Sequence, residues 1–284
     1  MNVRSLATIF LPLALGAAAP ASPMALGVAP GRAATESLTV QDDGKKKSKQ
    51  ELEKEREAKA KEAVRVLGQG LKSKLAPERI AALTEAAEVN HPKVVAAIAK
   101  ALADKEPDVS RAALELLGGA GDPSAVGELK KYARRARKAL SKNPDRMALV
   151  IRSVGFHEDA ESMDWLLQDA LTSEQRIVRQ ARLFSVARMR SETALESIFA
   201  AMAKSDPRHL RSRMRELRVT LIWLTSKDLG EDPDAWNDWW RKNRKGFKVP
   251  KAPPKLTGRD ERDWMVFWGE ERMRTRQKKR GDRG

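Results

Sequence analysis

The chain has 284 residues, of which 41% are apolar and 33% charged, and a formal net charge of +16. That length supports one sizeable folded region once both ends are set aside, and the charge draws acidic partners of any kind: nucleic acid, anionic lipid, acidic polysaccharide or acidic protein surfaces. The absence of cysteine excludes disulfides, thiolate metal sites and thiol nucleophiles.

The N-terminus carries one early charge, Arg4, then an apolar stretch over residues 6–19 and a small-x-small site at Ala19-Pro20-Ala21. This layout predicts a secretory signal peptide over residues 1–21, so the mature protein is expected in the periplasm or cell envelope, or outside the cell. The alternative is an uncleaved N-terminus that tethers the chain to a membrane. The apolar stretch is short for a membrane span, no later segment competes with it, and the mature chain is expected to have no integral span. Without a cysteine near the cleavage site, lipidation through cysteine is excluded.

Residues 22–47 are rich in Ala, Gly, Pro, Ser and Thr and read as a disordered spacer. A charged lead-in helix is expected over residues 48–72. Ser48 and Glu51 have capping-box spacing, and Glu55→Lys59 and Glu57→Lys61 are favourable pairs one turn apart. Its first half has almost nothing apolar to bury and is expected to be solvated. Val64, Leu67 and Leu71 then form a face that can dock. A basic membrane-surface helix is the competing reading, but the early half lacks the apolar face this needs.

Residues 73–248 carry a recurring pattern. Pro77, Pro92, Pro107, Pro123, Pro144, Pro207 and Pro233 stand where helices begin, and the markers Pro77, Pro107, Pro144, Ser173 and Pro207 are 30, 37, 29 and 34 residues apart. Ile80, Leu83 and Ala87 form one helical face, and Val95, Ile98 and Leu102 form another. Val109, Ala113, Leu116 and Leu117 line a third helix, which ends at Gly118-Gly119-Ala120-Gly121. Asp122 and Pro123 open its partner, with Val126 and Leu129 facing inward. Asn143-Pro144 starts the next pair, which has Gly155 as a breaker and a second helix bearing Met163, Trp165, Leu166, Leu167 and Leu171. Further pairs follow from Ser173 and from Asp206-Pro207. No single hairpin hides its apolar side, whereas stacked hairpins do. The predicted fold is all-α, a right-handed superhelical solenoid of antiparallel helix pairs of the HEAT/armadillo kind.

Residues 107–132 resemble the short bacterial HEAT-like repeat associated with phycobilisome lyase proteins. The matching positions are Val109, Ala112, Ala113, Leu117, Gly118, Gly121, Asp122, Pro123, Ala125, Val126 and Leu129. Ser110 departs from the pattern, because the family has arginine there. The other repeats match in periodicity alone, and the resemblance spans roughly residues 77–225. Some relatives in that group are lyases, but a repeat match transfers no activity.

Trp236, Trp239 and Trp240 share one face of a helix opened by Asp232-Pro233. A terminal repeat needs its open apolar end covered, so these residues read as a structural cap. The competing reading is an aromatic platform for bases or sugar rings, with Arg241, Lys242, Arg244 and Lys245 beside it. The run Leu224, Thr225, Asp228, Leu229, Gly230, Asp232, Pro233, Ala235, Trp236, Trp239 and Trp240 resembles a terminal cap of HEAT-repeat proteins of planctomycete type. That resemblance implies an exported repeat protein and no known activity. A linker is expected at 249–258, then a C-terminal helix and basic tail at 259–284, which folds back or engages a partner. From Arg241 onward there are 16 basic and 6 acidic residues.

Arg176, Arg179 and Arg182 are spaced by three, and Arg211, Arg215 and Arg218 share a face likewise. Aligned across repeats they predict a positive partner-binding stripe, to be weighed against ordinary solvated helix surface. The expected function is a non-enzymatic exported scaffold that binds a protein or acidic polymer through this stripe or through Arg241, Lys242, Arg244 and Lys245. The alternative is a nucleic-acid-binding repeat protein, although no helix-turn-helix, zinc-finger or RNA-binding strand motif is present. His157 beside Glu158, Asp159 and Glu161 invites a metal reading, but acids at a turn and helix start serve capping equally well. The glycine-rich turn lacks the GxxxxGK pattern of a phosphate loop. No catalytic residue, cofactor or metal is expected.

Overall fold

The computed structural model describes residues 48–268. The expected signal peptide and spacer, and the tail from residue 269, lie outside the described residues. Helix α1 spans Lys49–Gly70. Its capping box forms: Ser48 Oγ accepts the Glu51 N–H at 3.3 Å, and the Glu51 carboxylate accepts the Ser48 N–H at 2.8 Å. Ala60 and Leu67 are buried. The first half is not simply solvated. Glu57 meets the His91 imidazole at 3.2 Å and also pairs with Lys93, and Arg56 donates to the Asn90 carbonyl at 3.2 Å.

Four helices follow as two hairpins: α2 (Ala76–Ala86) with α3 (Pro92–Lys100), and α4 (Pro107–Gly118) with α5 (Ser124–Arg135). Side chains that accept backbone N–H groups begin several helices. His91 Nδ1 accepts from Lys93 at 3.1 Å, and Asp122 Oδ1 accepts from Ser124 at 3.0 Å. A one-turn helix, α6 (Arg137–Ser141), intervenes before α7 (Pro144–Gly155), whose start is capped by Asn143. Helix α8 is short, Met163–Leu167, although the apolar pattern runs on to Leu171. Its truncation has a visible cause. Arg182 Nη1 donates to the Trp165 carbonyl at 2.5 Å and to the Leu166 carbonyl at 3.3 Å, taking acceptors that another helical turn would use. Helices α9 (Arg176–Arg188), α10 (Glu192–Ala203), α11 (Pro207–Thr225), α12 (Pro233–Asn243) and α13 (Gly258–Trp268) complete the described chain.

Helices α2, α4, α7, α9 and α11 pack each on the next, as do α1, α3 and α5 on the other side. The chain is thus an all-α solenoid of stacked antiparallel pairs, and α1 supplies the outer partner of the first layer. Close approach between layers rests on small residues. Ser153 Oγ donates to the Leu114 carbonyl at 3.0 Å, and one layer on Ser185 Oγ donates to the Ile151 carbonyl at 3.3 Å. Gly118 lies against Ser153, and Gly155 against Ser185. Each glycine is the last residue of its helix, but helix packing also requires it, because a side chain would meet the next layer's serine.

Candidate interaction surface

The arginines expected to form an open stripe occupy three different environments. Arg179 and Arg182 are both 4% exposed. Arg179 Nη1 donates to the carbonyls of Ser173 and Glu174 at 2.8 and 3.0 Å, six and five residues back. Arg79 in α2 does the same to Ser73 and Lys74 and pairs with Asp104 at 3.0 Å. Burial lowers the pKa of Arg179, and it pushes that of Arg182 down to about 10. Arg182 also lies over the Trp165 ring at 5.4 Å. These two residues satisfy loop and helix-end carbonyls and are not available to a partner. This corrects the stripe. A three-residue spacing marks one helix face, and here Arg179 and Arg182 on that face turn inward while Arg176 stays exposed.

Arg176, Arg215 and Arg218 do lie together, and they already face carboxylates. Arg176 Nε meets buried Glu216 at 2.7 Å, with Arg179 on the same carboxylate at 3.8 Å. Arg215 reaches Asp263 at 2.8 Å, and Arg176 approaches it at 3.5 Å. Arg218 holds Asp260 at 2.7 Å and also grips Asp228 through two bonds. The Arg218 contact holds the Asp228 carboxyl below its ordinary range, and the same contact raises Arg218. Two of these acids, Asp260 and Asp263, belong to α13 and stand three residues apart. The acidic group facing this part of the stripe is therefore the chain's own C-terminal helix. Arg211 is different, forming an exposed pair with Asp234 at 3.6 Å.

Behind its acids, α13 buries Trp264, Met265 and Trp268. Trp264 stacks on Trp223 of α11 with centroids 3.9 Å apart, and lies 4.9 Å from Phe184 of α9. Trp268 meets Phe156, which follows α7, edge-on at 5.0 Å, with the Arg188 guanidinium 4.7 Å above its ring. Arg152 of α7 donates to the Phe267 carbonyl at 2.9 Å. Arg190 secures the preceding segment by donating to the carbonyls of Trp223, Pro250 and Ala252.

At the end of the repeats Trp236 is fully buried, and its indole N–H donates to the Gly230 carbonyl at 2.9 Å. Trp240 lies parallel to Phe199 of α10 at 4.7 Å, and Trp239 meets Phe247 edge-on at 5.1 Å. These ring faces are engaged in packing, as a terminal cap requires. The adjacent cations remain on the surface: Arg241, Lys242, Arg244 and Lys245 are exposed, with Arg241 paired to Asp238. A second exposed group, Arg134, Arg135, Arg137 and Lys138, stands at the α5–α6 junction.

His157 Nε2 lies 2.8 Å from the Leu117 carbonyl, and Asp159 caps its own turn through Ser162 and Glu161. These residues serve the interlayer turn. Among the described residues no group of three or more His, Asp or Glu side chains is placed to hold a metal ion, and no helix is long and apolar enough to cross a membrane.

The stacking of antiparallel pairs around one continuous core defines a helical-repeat protein. Residues 64–143, from the second half of α1 to the end of α6, match the family model of HEAT repeats. No curated protein matches the chain in sequence. The matched segment and the continuation of the same stacking beyond it give the described chain a HEAT/armadillo-like solenoid fold of helix pairs.

Proposed function

We propose that the chain is an exported scaffold of the cell envelope that binds an acidic protein partner, with Arg241, Lys242, Arg244 and Lys245 at the end of the solenoid as its primary contact. The signal-peptide layout of residues 1–21 supports export, as does the likeness of the terminal cap to planctomycete-type repeat proteins. The observation that carries the binding reading is the contrast among the cations. Those of α9 and most of those on α11 are committed to carbonyls or carboxylates inside the chain. The run closing α12 stays exposed beside a packed aromatic cap. The likeness of residues 107–132 to phycobilisome-lyase-type repeats fits a role in handling another protein, without a reaction.

Capture from the organism's own envelope fraction tests this, using the mature chain and a variant with the four cations changed to glutamate. Salt-weakened capture that the variant loses supports the reading. Equal capture by both proteins, or none by either, refutes it. Nucleic acid as partner would appear as sequence-neutral, steeply salt-dependent retention. The packing of Trp236, Trp239 and Trp240 against Phe199, Phe247 and one another favours the protein-partner reading over a base-stacking platform.

A further inference from the structure

We infer that the face formed by α7, α9 and α11 is a receptor site for an amphipathic partner helix bearing two carboxylates one turn apart and then aromatic residues. On this inference α13 is its tethered resident. It rests on reading the chain as a protein-binding scaffold, and it names a second surface together with the chemistry that surface accepts.

Three successive layers build the site, and they contact the described part of α13 along its length. Arg218, Arg215 and Arg176 receive the acids of the first turns, while Arg152 takes the Phe267 carbonyl two turns further on. Trp223, Phe184 and Phe156 meet its aromatic side. This is the helix-in-groove mode of recognition, in which periodic apolar anchors give affinity and rim charges set direction. The resident is not part of the repeat stack. A stretch without helix, residues 244–257, joins it to α12.

Among the described residues, the indole N–H groups of Trp223 and Trp268 are buried at this junction with no hydrogen-bond partner. The covalent connection keeps α13 at this face, as tethering raises effective concentration into the millimolar range for short linkers.

The test keeps the whole chain and places a specific protease site within residues 251–255. After cutting, a labelled peptide with the sequence of residues 256–268 is added. We expect saturable exchange into the cut protein, at least about a hundredfold tighter than into uncut protein. Arg215→Glu with Arg218→Glu should weaken it at least about tenfold, and a peptide carrying Asp260→Arg and Asp263→Arg should recover part of that loss. A cut protein that stays folded without exchanging, or one that unfolds on cutting, overturns the inference. So does a dimer that depends on α13, which would make a second copy the occupant. Exchange without envelope capture leaves this site standing and removes the scaffold's proposed partner. Capture with no exchange does the reverse.

Discussion

Gly155→Ala tests whether the layers are held at the separation that small residues permit. A Cβ at Gly155 would stand 2.2 Å from Ser185 Oγ, 2.6 Å from its Cβ and 3.1 Å from its Cα. Rotating the serine clears the hydroxyl but not the Cβ or the backbone, so α7 and α9 must separate. Overpacking of this kind costs about 1–3 kcal/mol. The helix-propensity gain, at most about 1 kcal/mol, offsets little of it at a helix end. For a domain of this size each kcal/mol lowers Tm by roughly 2–4 °C. The assay is thermal and urea unfolding of Gly155→Ala, Ser185→Gly and the double variant. Ser185→Gly also loses the bond to the Ile151 carbonyl, so it should destabilise by itself. The double variant should be at least about 1 kcal/mol more stable than the sum of the single changes predicts. A neutral or stabilising Gly155→Ala, or strict additivity, refutes the close-approach argument.

Gly127→Ala, in α5 with nothing near the added methyl, should stabilise by up to about 1 kcal/mol in the same urea titration. Trp264→Ala removes a buried ring stacked on Trp223, and should cost about 3–5 kcal/mol of local stability, read as faster amide exchange across residues 258–268. Glu216→Ala leaves buried Arg179 without its carboxylate, and about 3–5 kcal/mol should be lost on chemical denaturation. Asp228 is held below its ordinary pKa of 3.8 by the Arg218 hydrogen bonds. Its contribution is therefore full above that value and lost as pH falls through the lowered one. Acid titration of Tm from about pH 5 to about pH 2 should fall less steeply for Asp228→Asn than for the wild type.

The helix starts were legible because their chemistry is local. Pro92, Pro107, Pro144, Pro207 and Pro233 each begin a helix, and Asn143, Asp206 and Asp232 cap the last three of these through side-chain oxygens. Pro77 falls one residue inside α2, and Pro123 immediately before α5. What stayed hidden depends on distant partners. The length of α8 is set by Arg182 from the following layer, and no pattern within residues 160–171 announces it. The close approach of Gly118 to Ser153 and of Gly155 to Ser185 looks, in sequence, like ordinary helix termination. The acids that meet Arg215 and Arg218 were visible as Asp260 and Asp263 in a short helix, but only folding brings them back across residues 215–263.

Ser110 shows how the stack supplies a charged donor in a layer that lacks the arginine present in two others. Arg79 and Arg179 occupy the fourth helical position of α2 and α9, and each bonds carbonyls in the turn before its helix. Ser110 holds that position in α4, where α2 and α9 carry arginine. Its hydroxyl bonds the Leu102 carbonyl at 2.9 Å, and the guanidinium arrives from the next layer: Arg146 of α7 donates to the same carbonyl at 2.7 Å and to Ser110 itself. Tyr132 supports Arg146 with a hydrogen bond at 2.9 Å and with its ring. One buried carbonyl thus keeps its charged donor although the donor's position in the repeat has changed, because what must be conserved physically is the satisfied acceptor. Arg146→Met should then destabilise by about 2 kcal/mol, whereas Ser110→Arg in that background should restore much of the loss. If the double variant is no more stable than Arg146→Met alone, measured by urea unfolding, the two guanidinium positions are not equivalent and the exchange between layers is wrong.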